Sequence, residues 1–284
     1  MMFYEIPLVA FTVLAQTAVG AHLTVNGAQL LAKPNAQTVA RLNWGRFAIL
    51  VVMGLGFLFS TTHMGSPLRA FNAFNKVGSA ALSNEILTGA SFLTFAGLYW
   101  LLTVLNVAGA GVRKALNVIS IVLGVVFMFA MANVYHIDTV PAWHTPLTVW
   151  TFWFTVVTLG VMFAAVIVNV AGVESRCVSR TLMALGVSLI LCHLAVTAMQ
   201  VLYFAGLSTA INSGVAHITA LSGSLSAQLT LTVIAAVIWL LAELSALPAN
   251  AKRWVLITGF VALFAAEIFG RNVFYGMHFT SGLY

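Results

Sequence analysis

Charge is what this sequence has least of. Asp, Glu, Lys and Arg make up 6% of its 284 residues, against about 25% in an ordinary soluble domain. With 61% hydrophobic residues beside that scarcity, a water-soluble globule is excluded. Cysteine is nearly missing as well. Cys177 and Cys192 lie 15 residues apart, form no C-x-x-C pair and match no metal-ligand spacing, which argues against a disulfide framework. They are also too few to ligate an iron-sulfur cluster, so any such centre belongs on another subunit. The excess of positive charge, +6, is scattered between apolar runs and never forms a block, so no nucleic-acid partner is expected. The opening Met-Met-Phe-Tyr-Glu has no basic n-region, and the apolar run after it is too long for a signal-peptide core. It is read as a retained first helix.

Crossing a bilayer takes about 20 largely apolar residues per helix. Runs of that length fall at 6–31, 43–63, 83–106, 113–134, 147–171, 181–206, 225–247 and 253–276. They predict an all-α integral membrane protein, a single domain over 1–284 built as a bundle of eight transmembrane helices in contact with membrane lipid. None alternates in the manner of barrel strands, so each span must close its own backbone hydrogen bonds as a helix. The breaks carry turn chemistry at Lys33-Pro34-Asn35, Gly65-Ser66-Pro67, Pro141 with Pro146, and Leu247-Pro248. The uncharged stretch from Leu207 to Ser224 reads as loop or interface.

Lys and Arg alternate between the two sides. Loops one, three, five and seven with their helix edges hold Lys33, Arg41, Arg46, Arg113, Lys114, Arg176, Arg180, Lys252 and Arg253, whereas the other side holds Arg69, Lys76 and Arg271. The positive-inside rule then predicts that both termini and loops two, four and six are extracytoplasmic. Glu267 and Arg271, four apart on one helix, are expected to neutralise each other. Glu243 is expected to snorkel to the interface.

Five of the seven histidines, His63, His136, His144, His217 and His278, fall at or near the side poor in Lys and Arg. Loop two is the densest polar stretch, with aromatics interleaved from His63 to Lys76. A quinol needs an apolar slot, acceptors for its hydroxyl protons, and a cation for the anion left behind. His63 suits a proton acceptor, Glu85 at the start of helix three is a second, and Arg69 supplies permanent charge. Phe71, Phe74 and Met64 form a possible slot, and Asn72 and Asn75 can reach a ring oxygen. Asp138 and His136 are possible second proton acceptors. The same residues also fit a plainer account in which Glu85 answers a helix dipole and Arg69 and Lys76 face lipid headgroups.

His63-Met-Gly-Ser-Pro-Leu-Arg-Ala-Phe-Asn72, Ala80-Ala-Leu-Ser-Asn-Glu85-Ile86, Ile137-Asp-Thr-Val-Pro-Ala-Trp143 and Gly270-Arg-Asn-Val-Phe-Tyr-Gly-Met-His278 resemble the membrane anchor subunit of dimethyl sulfoxide reductase, as does Pro7-Leu-Val-Ala-Phe-Thr-Val-Leu-Ala-Gln16. The resemblance covers nearly the whole chain. It implies an eight-helix, haem-free anchor in the bacterial inner membrane that oxidises menaquinol from the quinone pool in anaerobic respiration. Electrons would pass to an iron-sulfur subunit, which feeds a catalytic subunit carrying a molybdenum pterin cofactor. The family's quinol-site residues correspond to His63, Gly65, Arg69, Phe71 and Glu85. No metal site is expected on this chain. His22 and His193 depart from the pattern. They lie near the middle of their helices, where two histidines can clamp a b-type haem or can each hydrogen-bond a neighbouring helix. A secondary transporter and a passive anchor are the competing classes. The first expects mid-membrane ionisable residues on interrupted helices, and the second leaves loop two unexplained.

Overall fold

A computed structural model describes residues 5–63, 72, 75–208 and 213–278. Among these it contains eight helices, all long and apolar enough to cross a membrane. They are α1 (Ile6–Ala32), α2 (Ala36–His63), α3 (Ala81–Val104), α4 (Ala110–Val134), α5 (Pro146–Val170), α6 (Arg176–Gly206), α7 (Gly214–Leu244) and α8 (Ala249–Gly276). Pairing of extended backbone among the described residues is limited to one isolated antiparallel bridge, Ser208 to Ser213.

Three helices begin five or more residues earlier than hydropathy predicts, and at two of them a polar cap extends the helix into the interface. Asn35 accepts the Thr38 amide at 2.9 Å through Oδ1, which starts α2 seven residues ahead of the apolar run. Ser175 accepts the Val178 amide at 3.3 Å and starts α6 at Arg176. The third, α7, begins at Gly214 rather than 225, so most of the stretch expected as loop or interface is helix. Its small residues serve packing: Ser224 is buried and its Oγ accepts a hydrogen bond from Asn272 of α8 at 3.0 Å. At 31 residues each, α6 and α7 are about 46 Å long, more than a hydrocarbon core of about 30 Å needs.

Helices α1 and α5 form the centre, with α5 also packed against α4, α6 and α8. Burial follows the same order, since the most apolar windows of α1 and α5 are 72% and 78% buried while no other span passes 33%. These two cross at Gly20 and Gly160. A Cβ added to Gly20 would lie 1.9 Å from the Val156 carbonyl oxygen, and one on Gly160 would lie 2.3 Å from the Gly20 carbonyl carbon. Only glycine permits that backbone approach, the usual device where lipid removes the hydrophobic drive between helices. Gly186 does the same for α6, accommodating the fully buried Trp239 of α7.

Arg46 sits well inside α2 rather than at its edge. It is 3% exposed, bonds Gln29 of α1 and Asn43, and lies 5.4 Å from the centre of the Tyr99 ring. Setting aside Arg46 on one side and the equally buried Arg271 on the other leaves the Lys and Arg bias intact. Glu243 gains a partner that sequence did not supply, Lys252 of α8 at 2.7 Å.

Candidate functional site

The end of the bundle where α2, α4 and α8 finish and α3 and α5 begin carries loop two. Of the residues singled out there, Gly65, Arg69, Phe71, Phe74 and Met64 lie outside the described residues. His63 is the last residue of α2, and its side chain also lies outside them. Asn72 and Asn75 are exposed.

Glu85 stands in the first turns of α3, yet it points inward. It is 3% exposed, and its Oε1 has no hydrogen-bond partner among the described residues. Tyr135, at the end of α4, and Tyr275, in the last turn of α8, are within its electrostatic reach. Their hydroxyls are 2.6 Å apart. Around them Trp143 stacks on Phe274 with ring centres 5.3 Å apart and donates its indole N–H to the Phe274 carbonyl at 2.9 Å. His278 lies against the other side of this cluster, 4.8 Å from Trp143. Three stretches far apart in sequence, around Glu85, Trp143 and Tyr275, therefore meet at one end of the bundle.

Asp138 and His136 do not meet directly. Asp138 Oδ1 is 2.9 Å from His144 Nδ1, and the His144 ring lies 4.1 Å from that of His136. Asp138 is 90% exposed at its side chain, so the three residues run from the edge of the bundle to solvent.

Deeper in the same half lies a polar cluster that sequence reasoning missed as a unit. Arg271 Nη2 donates to Gln16 Oε1 of α1 at 2.8 Å and to Thr155 Oγ1 of α5 at 3.3 Å, with its guanidinium 3.7 Å above the centre of the Phe152 ring. Glu267 takes the Thr155 hydroxyl at 2.9 Å and the His193 Nδ1 of α6 at 3.1 Å. Glu267 and Arg271, expected to neutralise each other as an intrahelical pair, are joined through Thr155, and each also reaches a different neighbouring helix. Spacing four on one helix signalled a local pair, but both face the core, where neighbouring helices offer better-aligned partners. A cavity of about 20 Å³ beside them, bordered by Gln200 and Gln228, has room for about one water. The available signal was an ionisable pair in mid-span.

His22 turns to α4, where its Nε2 is 2.9 Å from Ser120 Oγ, with its ring edge-on to Phe92. His193 turns to α8 and stacks on Phe154. The two imidazoles serve different helix contacts. Among the described residues no group of three His, Cys, Asp or Glu is placed to hold a metal ion.

A family model described as "DMSO reductase anchor subunit (DmsC)" matches residues 1–277. The sequence is 33% identical over 282 residues to the C subunit of the anaerobic dimethyl sulfoxide reductase of Escherichia coli, covering 99% of this protein and 97% of that one. It is 37% identical over 284 residues to the anaerobic dimethyl sulfoxide reductase subunit YnfH of the same organism, with the same coverage. Over 284 residues it is 35% identical to the C subunit of the anaerobic dimethyl sulfoxide reductase of Haemophilus influenzae, again 99% and 97%.

Proposed function

The chain belongs to the DMSO reductase anchor subunit family, and from that premise we propose that it binds menaquinol at the loop-two end and passes its electrons to an iron-sulfur subunit. As an anchor subunit of such a complex it has catalytic and electron-transfer partners. In the proposed reaction menaquinol loses two electrons and two protons and leaves as menaquinone. His63 and Glu85 accept the protons, and Arg69 stabilises the anion formed when the first departs. Phe71 and Phe74 flank the ring, Gly65 lets the backbone approach it, and Asn72 reaches a ring oxygen. The electrons leave through the partner's clusters to the molybdenum pterin subunit.

The observation that carries this reading is the Glu85 carboxylate. A buried acceptor left without a partner is costly and rare, and Oε1 of Glu85, in the first turns of α3, has none among the described residues. A ligand hydroxyl would satisfy it. The haem alternative has less support, because His22 and His193 already serve separate helix contacts. No haem is needed on this chain if both chemistry and partners share one face.

That face is extracytoplasmic by the bias of Lys and Arg, in a bacterial inner membrane. Electrons with no haem to cross the bilayer must exit where the quinol is oxidised, so the iron-sulfur subunit docks over loops two, four and six. Protons are released outward, and no net charge crosses the membrane when the terminal substrate is reduced there too. The test is turnover of the purified complex with a menaquinol analogue and, separately, with a soluble reduced dye. Alanine at His63, Arg69 or Glu85 should abolish the first activity and spare the second. Unchanged quinol oxidation in all three variants would refute the proposal.

A further inference from the structure

Helices α5 to α8 pack in a ring, each against the next and α8 against α5, and the buried residues of that ring divide along its length. Toward the loop-two end they are polar: Thr151 and Thr155 of α5, Thr197 and Gln200 of α6, Gln228 of α7 and Arg271 of α8. Beneath Glu267 and His193, in the direction away from loop two, stand Leu159, Ile190, Ala235 and Leu263, one from each helix and each 0% exposed. They form an aliphatic floor. Both halves of a span cross the same hydrocarbon, so lipid alone does not ask for this asymmetry. A polar interior confined to one half marks a site with work to do.

The cavity of about 20 Å³ lies in the polar zone, above that floor. Gln200, 8% exposed, lines it, and its Nε2 has no hydrogen-bond partner among the described residues. Glu267 presents the opposite need. Its Oε1 meets His193 and its Oε2 takes the Thr155 hydroxyl, whereas a carboxylate can accept about four hydrogen bonds. The occupant therefore has to accept from Gln200 and donate to Glu267. A metal ion fails the first demand and an anion fails the second. The volume holds about one water, and water meets both demands.

We propose that water reaches this chamber from the loop-two end, binds between Gln200 and Glu267, and exchanges protons there with the Glu267–His193 pair, while the aliphatic floor stops it from passing further. The charged and titratable groups around Glu267 are His193 of α6 and Arg271 of its own helix, with Tyr275 and Tyr135 beyond Arg271. From α5 and α7 the chamber receives uncharged side chains, Thr151, Thr155 and Gln228. His193 turns Nδ1 to Glu267 at 3.1 Å, and with its hydrogen there Nε2 keeps a lone pair. A proton delivered by the water binds Nε2, the carboxylate balances the imidazolium, and release returns that proton to water with no electron moved. This site is separate from the one proposed for menaquinol, because Glu85 does not line the chamber, and it stands whether or not that reading holds.

The experiment is X-ray footprinting of the complete complex in phospholipid nanodiscs, in buffer made with heavy-oxygen water, since radiolysis of a bound water oxidises the side chains beside it. His193, Phe204 and Phe274 border the chamber and should gain heavy oxygen. Met162, one turn below Leu159 and 0% exposed, should gain none although methionine is the more reactive side chain. Gln200→Leu replaces the amide by carbon of similar size and should abolish the labelling in a complex whose subunits still co-purify. Infrared difference spectra recorded as the same sample passes from ordinary to deuterated buffer should contain imidazole bands that His193→Phe removes. In the wild type, equal protection of His193 and Met162 would overturn the water site, and labelling of both would overturn the floor. Labelling unchanged in Gln200→Leu would overturn the binding assigned to that amide, and infrared spectra without a His193 contribution would overturn the proton exchange.

Discussion

Replacing Arg271 by methionine keeps the volume of the side chain and removes its charge, and this tests whether the polar cluster around α8 acts as one unit. Methionine gives up the bonds to Gln16 and Thr155 and the contact with Phe152. Interhelical hydrogen bonds in membrane proteins average about 0.6 kcal/mol each, so the lost bonds alone cost about 1 kcal/mol. The larger cost lies in what remains. Glu267 is 4% exposed, and stranding one partner of a buried pair costs about 3–5 kcal/mol in water-soluble proteins. We expect about 2–4 kcal/mol for Arg271→Met and a similar loss for Glu267→Gln, which strands Arg271 instead. In the double variant neither charge remains, so its loss should fall short of the sum by about 1–2 kcal/mol, within the range seen for directly coupled residues. The assay is equilibrium unfolding in mixed micelles, followed by tryptophan fluorescence, over the full mutant cycle. Losses that add to within about 0.5 kcal/mol would refute the reasoning, because they would show that Thr155 does not couple the two charges.

Gly20→Ala should prevent assembly of the bundle, since the new methyl group meets a backbone oxygen that has nowhere to go; normal yield and stability of that variant would contradict the α1–α5 crossing. Tyr275→Phe leaves the Tyr135 hydroxyl buried without its partner at a cost of about 1–3 kcal/mol, and adding Tyr135→Phe should restore part of it in the same unfolding assay. Lys252→Ala, at the opposite end, strands the Glu243 carboxylate, 5% exposed at its side chain, and should cost about 2–4 kcal/mol in the same assay, as for Arg271→Met. A reduced-minus-oxidised optical spectrum of the purified complex should contain no b-type band that disappears with His22→Ala or His193→Ala.

Hydropathy located every span, because lipid imposes a length and an apolar surface that a sequence displays directly. It misplaced the starts of α2, α6 and α7; at α2 and α6 a single cap residue continues the helix through polar sequence that no apolar count registers, and α7 runs on through small uncharged residues. The convergence of Glu85, Tyr135 and Tyr275 was not legible, since helix packing decides which faces meet, and neither tyrosine had stood out from its apolar surroundings. Family resemblance had marked the segments without joining them. The Glu267–Arg271 spacing was visible, but spacing alone cannot distinguish a surface pair from two side chains aimed into the core. His22 and His193 were equally ambiguous, and only the positions of Ser120 and Glu267 on other helices separate a shared ligand from two separate contacts.

The central claim is that this protein delivers electrons from menaquinol through a site containing Glu85. Anaerobic mixing of a reduced menaquinol analogue with the oxidised complex, observed through the absorbance of the partner's iron-sulfur clusters, tests it in a single turnover without the terminal substrate. The clusters should be reduced rapidly in the wild type and not in Glu85→Gln, whose amide cannot accept the proton, while dithionite reduces both equally. Clusters reduced by quinol at the same rate in Glu85→Gln as in the wild type would contradict the account.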